Sequence, residues 1–269
     1  VTLTRDRNLE STANVGLHRD QYHRYLWNGD GPLVGVTTPL KIQDTLIGGD
    51  LASWGGRIAA TYILDHLSPG SDRDAILARA VGAVSEARDI GTAVHARIEH
   101  ILVGDTPQVP CLRHPVSFGQ VACQLLPEQV PPYIYAFSSF LSKYRPEFLL
   151  VEAMVVNLTH RYAGTFDIAA KMAPYGMEGG GKRIALIDVK TGKAKASQRL
   201  QLAGYAAGEF IGYPGDPEKH PIPRFQDYYI LLLRPDGYEL VQQDVTRADR
   251  AHFLNLVKTY RKLRAWEGI

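Results

Sequence analysis

Alternating apolar and polar positions mark out strands in the second half of the chain. Phe148 to Asn157 predicts one strand, with Glu152 inside it. Gly164-Thr165-Phe166-Asp167-Ile168-Ala169-Ala170 and Ile184-Ala185-Leu186-Ile187-Asp188-Val189-Lys190 predict two more. The stretch between them holds Pro174, Gly176, Gly179, Gly180 and Gly181, so the two pair as a β-hairpin with a long loop and one acid rides on each strand. Tyr228 to Leu233 is nearly all apolar and reads as a central strand, whereas Tyr238 to Asp244 alternates and reads as an edge. Arg234-Pro235-Asp236-Gly237 turns this second hairpin.

Helical spacing covers most of the remainder. Thr38 as cap and Pro39 in the first turn start one helix. A second runs from Leu51 to Leu67, broken by Gly55-Gly56, ended by Pro69-Gly70 and carrying Trp54 and Arg57. Ser71 to Val103 predicts two helical pieces, with Ser71 or Asp72 as the first cap, and Tyr133 to Tyr144 another helix. Ser197 is placed to cap a helix reaching about Ile211. Arg247 to Trp266 buries Phe253, Leu256, Val257, Tyr260 and Leu263 and carries several basic residues. Residues 104–132 hold several prolines and read as a surface excursion or small lobe. Residues 1–30 read as a loosely packed arm, although His18, Tyr22, His23, Tyr25 and Trp27 interleave aromatic and basic character in a way that suits base stacking.

Composition narrows the class. The 269 residues are 45% hydrophobic, enough for one large domain or a core with an added lobe. Lys and Arg number 30 against 28 Asp and Glu, so any nucleic-acid contact must come from local patches and not from a global field. No apolar run approaches the roughly 20 residues of a membrane span, and no export signal precedes the fold, so a cytoplasmic protein without membrane contact is expected. Cys111 and Cys123 are the only cysteines, and a thiolate iron–sulfur cluster or Cys₄ zinc site needs four. They read as small buried fillers.

Candidate chemistry gathers on the first hairpin. Strand alternation sends Asp188 and Lys190 to one face and Val189 to the other, and Asp167 can reach the same spot from the neighbouring strand. Two carboxylates and an ammonium on an apolar sheet invite a hard divalent cation such as Mg²⁺. A surface salt bridge across the hairpin is the alternative on these residues alone. Glu152 reads equally as a further metal ligand or as the partner of an Arg or Lys. His95 and Glu99 share one helix face, with Gly91 and Thr92 leaving that face open to close approach. Gln198, Gln201 and Tyr205 form a polar stripe that either hydrogen-bonds phosphate and base edges or is simply solvated.

In order and spacing, the helix with His95 and Glu99, the strand with Gly164-Thr165-Phe166-Asp167, the segment Ile187-Asp188-Val189-Lys190-Thr191-Gly192 and the helix Gln198-Arg199-Leu200-Gln201-Leu202-Ala203-Gly204-Tyr205 resemble the PD-(D/E)xK nuclease superfamily. Within it the likeness is to RecB-type exonucleases, including phage-encoded and mitochondrial-maintenance members, and covers the chain from about Thr37 onward. The resemblance implies an α/β fold: a restriction-endonuclease-like core with a mixed central β-sheet flanked by helices, plus an added N-terminal helical region. Residues 1–35 would be an arm, 36–145 the helical region and 146–269 the nuclease core, in one compact domain overall.

The same resemblance implies that Asp167, Asp188 and the Val189 carbonyl bind Mg²⁺ or Mn²⁺, that His95 completes the metal site and that Glu99 binds a second ion or orients water. Lys190 would position or activate the attacking water, and Gln198, Gln201 and Tyr205 with Thr191 and Lys193 would hold the scissile strand. Asp188 stands where the pattern more often has Glu. The related iron–sulfur exonucleases associated with CRISPR systems need four cysteines, so no iron–sulfur cluster is implied. The implied activity is a metal-dependent DNA exonuclease with a preference for single-stranded or end-containing DNA, acting in recombination, repair or replication, with DNA and other recombination or replication proteins as partners. A non-catalytic nucleic-acid-binding protein on the same fold is the alternative. A Mg²⁺-dependent phosphotransferase is disfavoured, because Gly179-Gly180-Gly181-Lys182 lacks the spacing of a phosphate loop. Polarity, strandedness, metal count and oligomeric state are left open.

Overall fold

The computed structural model describes residues 15–19, 24–46, 51–66, 72–103, 130–177 and 180–266. In chain order these form β1 (Leu17–Arg19), β2 (Tyr25–Trp27), β3 (Asp30–Gly35), α1 (Thr37–Leu46), α2 (Leu51–His66), α3 (Arg73–Val103), α4 (Pro131–Tyr144), β4 (Glu147–Asn157), β5 (Tyr162–Met172) and β6 (Arg183–Lys190). There follow α5 (Ala196–Ala206), β7 (Phe210–Tyr213), β8 (Asp216–His220), β9 (Asp227–Arg234), β10 (Gly237–Gln242) and α6 (Arg247–Trp266). The fold is mixed α/β, and no helix among the described residues is long and apolar enough to cross a membrane.

β5 is the hub of the sheet. β4 runs antiparallel along one edge of it. The other edge is shared: β3 pairs with it in parallel at Tyr162 and Ala163, and β6 pairs antiparallel from Ile168 to Met172. Residues 164–167 lie between those two ladders. β6 also pairs in parallel with β9, which carries β10 on its far side, while β4 carries β7 and β8. The hairpin of β5 and β6 and the central place of β9 follow the sequence pattern.

Two layers cover the sheet. Leu186 packs with Leu40 of α1, Leu202 and Tyr205 of α5 and Phe253 and Val257 of α6. Its neighbours Ile187 and Val189 pack with Val94 and Ile98 of α3 and Phe137 and Phe140 of α4. Consecutive strand residues point to opposite faces, so these are opposite layers. A third cluster joins Leu17, Tyr25, Trp27 and Leu33 to Met154, Val156, Ala163 and Phe210.

That third cluster corrects the reading of the N-terminus. Leu17–Arg19, Tyr25–Trp27 and Asp30–Gly35 belong to the sheet, with Leu17 fully buried and Trp27 edge-on to Phe210 at 4.7 Å. The pieces expected within 71–103 are one helix of 31 residues, and Gly55-Gly56 does not break α2. At Gly56 an added Cβ would meet nothing within 4 Å, and packing of α2 on α3 outweighs the weak helix preference of the pair. Ser197 is not the cap of α5: Lys195 is, and Gln198 Oε1 accepts its backbone N–H at 2.8 Å. α5 stops at Ala206, and Phe210–Tyr213 becomes a strand on β4. Cys111, Cys123, Tyr22, His23 and the excursion at 104–129 lie outside the described residues, as do the side chains of Trp54 and Arg57.

Candidate metal centre

The chemistry-bearing residues converge at the gap in the β5 ladder. The last β5–β6 pair on that side is Ile168 with Ile187, and beyond it β6 runs on to Lys190 paired with β9. Val189 donates its backbone N–H to Asp167 Oδ2 at 2.7 Å, so a side-chain carboxylate caps the ladder where strand pairing ends. Asp167 Oδ1 lies 3.6 Å from Nδ1 of His95, which α3 brings in over the same edge. Gly91 sits one turn earlier on α3, and a Cβ there would lie 3.1 Å from Thr191 Oγ1. The helix therefore passes close to the segment that follows β6, as the open face at Gly91 and Thr92 led us to expect.

Glu152 completes a trio. Val151 pairs with Ile168 and Ala153 with Phe166, which sets Glu152 opposite Asp167 across β4 and β5. His95, Glu152 and Asp167 each offer a ligand atom within 4.8 Å of the others, and both acids are 6% exposed. Ligands about 2.1 Å from one cation stand roughly 3–4 Å apart, so a small closure of this trio suffices to hold one. Glu152 has φ of +48°, in the left-handed region that an L-residue enters at a cost of roughly 1–2 kcal/mol. The strand accepts this cost where it presents a carboxylate to Asp167 and His95.

Asp188 is held separately from the trio. It is 1% exposed; its Oδ2 lies 2.5 Å from Lys190 Nζ and its Oδ1 accepts a hydrogen bond from Gln201 Nε2 at 3.1 Å. Gln201 Nε2 also donates to the Tyr205 hydroxyl at 2.9 Å. Burial, followed by the Asp188 and Asp167 charges, pushes the Tyr205 phenol well above its ordinary value, so it stays protonated. Lys190 is the more open partner of its pair, with 26% side-chain exposure against 2% for Asp188.

Gln198, Gln201 and Tyr205 are thus not a solvated stripe. All three are buried and bonded within the protein: Gln198 accepts the backbone N–H of the cap residue Lys195, while Gln201 and Tyr205 brace Asp188. Thr191 is half-buried and Lys193 exposed at the end of β6, where a ligand has access. Glu99 is buried one turn beyond His95, outside the trio. The sequence singled out Glu152 as an acid within an apolar strand but gave no sign of its backbone or its partner. It named Tyr25 only as a residue suited to base stacking, whereas the ring is buried and its hydroxyl lies 3.0 Å from Thr165 Oγ1, two residues before Asp167.

No family model matches the chain, and no curated protein does. Among solved structures, one titled "Crystal structure of SSO0001" aligns over 65% of this chain and 73% of its own at 11% identity and a TM-score of 0.31, a likeness too slight to bear on fold or function.

Proposed function

We propose that this protein is a divalent-metal-dependent deoxyribonuclease of the PD-(D/E)xK type, an exonuclease on a restriction-endonuclease-like core. The observation that carries the reading is the convergence of His95, Glu152 and Asp167 at the gap in the β5 ladder, beside the Asp188–Lys190 pair. Two carboxylates are hard donors suited to Mg²⁺ or Mn²⁺, an imidazole adds a borderline nitrogen donor that tilts the set toward Mn²⁺, and the chain's two cysteines are too few for an iron–sulfur cluster. The carbonyl of Val189, whose N–H already meets Asp167, is a further candidate ligand. Glu99 is the reserve acid on the same helix.

A bound divalent cation supplies the positive charge that offsets the build-up of negative charge on phosphoryl oxygens during phosphodiester hydrolysis. The protein's own groups do the rest. Lys190 sets a fixed ammonium at the mouth of the site, where it orients the attacking water and holds a proton at Nζ. Gln201 and Tyr205 keep Asp188 pointed at Lys190. Thr191 and Lys193 offer a hydroxyl and an ammonium to the backbone of the strand being cut. DNA is the partner this arrangement suits, in recombination, repair or replication.

A non-catalytic nucleic-acid-binding protein is the second reading, favoured by one observation: the Asp188 carboxylate is paired within the protein with the Lys190 ammonium at 2.5 Å. The same assay separates the two. End-labelled single- and double-stranded DNA is incubated with the protein in EDTA, Ca²⁺, Mg²⁺ or Mn²⁺. Nucleotide release in Mg²⁺ or Mn²⁺ alone, lost by about a hundredfold or more in D167N and K190A, supports the nuclease. Binding without release under every condition supports the second reading, and full activity of K190A refutes the site. Mn²⁺ titration by calorimetry gives a readout besides activity, with D167N expected to bind more weakly. Covalently closed single-stranded circles test the exonuclease reading, since rapid cutting of circles excludes an obligatory need for ends.

A further inference from the structure

The C-terminal half of α6 concentrates charge that the rest of the chain balances. From Arg250 to Trp266 there is no acidic residue, and Lys258, Arg261, Lys262 and Arg264 fall within seven positions, in a chain whose net charge is only +2. Lys258, Lys262 and Trp266 follow at intervals of four and so form one stripe along the helix. Lys258, Arg261 and Lys262 are exposed, and the Trp266 indole is 80% exposed. Arg264 is half-buried.

Neither feature helps the helix by itself. Like charges four apart on a helix repel, and an indole in water gives up the burial its area would supply. The cations also complement the C-terminal end of the helix dipole, but that effect needs only one or two of them and no exposed tryptophan. A ligand that rewards both features at once has regularly spaced anionic groups and flat apolar faces. Single-stranded nucleic acid has both: phosphates for the ammonium and guanidinium groups, and unpaired bases to stack on indole. A duplex keeps its bases stacked away from such a surface, and an acidic peptide lacks the aromatic faces.

We infer that the exposed face of α6 formed by Lys258, Arg261, Lys262 and Trp266 is a binding surface for single-stranded nucleic acid. It shares no residue with the metal-ligand trio and engages a strand at a second point. The inference deepens the nuclease reading and rests on it only for the claim that the bound strand is also the substrate.

The test measures binding in EDTA, where no metal-dependent cleavage occurs, so it stands or falls separately from the nuclease assay. Anisotropy of a labelled thymidine oligonucleotide of about 20 residues is followed from about 50 to 200 mM salt for wild type, K258Q/R261Q/K262Q and W266A. Removal of three phosphate contacts should weaken binding by about tenfold or more at the low-salt end and flatten the log–log salt slope by about 2. W266A should lose about fivefold or more with the slope unchanged. Both variants should keep wild-type far-ultraviolet circular dichroism and urea midpoints, since the altered side chains face solvent. Unchanged affinity and slope in the triple variant overturns the proposal. So does tighter binding of wild type to phosphatidylserine vesicles, or to a duplex of the same length, than to the single strand.

Discussion

Gly204→Ala probes how firmly α5, and with it Gln201 and Tyr205, is seated on the sheet. A Cβ at this position would stand 2.6, 2.8 and 2.9 Å from Cζ, Cε2 and Cε1 of Phe253. Carbon atoms in contact prefer about 3.5–4.0 Å, so the ring or the helix must retreat by roughly 1 Å. The ring has nowhere to go. Phe253 is fully buried and edge-on to Tyr162 at 5.2 Å, and the Tyr162 hydroxyl donates to the Gly204 carbonyl at 2.9 Å. Overpacking of this kind costs about 1–3 kcal/mol, while Ala over Gly inside a helix returns up to about 1 kcal/mol. A net loss of about 1–2 kcal/mol is expected, equivalent to roughly 2–8 °C in Tm for a chain of this size. Urea unfolding should show a lower midpoint at unchanged slope. In an F253L background the added methyl should cost less than about 0.5 kcal/mol, because the two sites share one clash. The proposed nuclease activity should fall with stability, since lifting α5 loosens the Gln201–Asp188 contact. G204A as stable as wild type, or the same cost in both backgrounds, refutes the packing argument.

Three further perturbations address the site and its support. Glu152→Gln removes one of the two carboxylates of the trio and should weaken Mn²⁺ binding about tenfold or more; unchanged Mn²⁺ binding by calorimetry removes Glu152 from the ligand set. Gln201→Ala deletes the donor that Asp188 and Tyr205 share, and should lower kcat of the proposed nuclease reaction about tenfold with Mn²⁺ affinity kept within about twofold, whereas an unchanged kcat detaches Gln201 from the site. For Asp249 burial pushes the carboxyl up, but hydrogen bonds from Thr246 and the Arg199 guanidinium prevail and hold it below its ordinary value. Its ionised form therefore adds stability above about pH 4, and that share is lost as pH falls through the lowered folded value. Asp249→Ala should cost about 1 kcal/mol near pH 7, and its urea midpoint should meet that of wild type at low pH; a gap that persists in acid contradicts the linkage.

The hairpin of β5 and β6 was legible because a period of two leaves little freedom: Leu186 and Ile187 do point into opposite layers, and Asp188 and Lys190 do share a side. The shared helix face of His95 and Glu99 was legible for the same kind of reason, but not which of the two would meet the sheet. His95 faces Asp167 across 3.6 Å, and Glu99 is buried a turn away. β1 and β2 escaped notice because three residues are too few to show alternation. They are held by tertiary contacts, with Leu17 and Trp27 packed under Phe210 and the Tyr25 hydroxyl on Thr165. β7 was read as the end of a helix because Phe210 and Ile211 suit either element. What decides is remote: Asn157 Nδ2 donates to the Ala207 carbonyl, and the Glu209 carboxylate accepts from the backbone N–H groups of Leu158 and Thr159, which fasten this segment to β4.

The placement of Asp167 was illegible for a deeper reason, since the alternation that would locate it fails at that residue. Tyr162 and Phe166 pack in the layer of α1, α5 and α6, whereas Ile168, Ala170 and Met172 pack in the layer of α3 and α4. All five are even-numbered, so a regular strand would hold them on one face. The phase therefore slips between Phe166 and Ile168, beside the positive φ of Glu152 on the neighbouring strand. The slip frees Asp167 from belonging to either face. Its carboxylate can reach Val189 along the open edge and His95 on α3, while Asp188 on the same hairpin stays turned toward Gln201 and Tyr205 of α5. A sheet with perfect alternation would confine each acid to one layer. The irregularity at Glu152 and Asp167 is what lets residues of both helical layers meet at one edge.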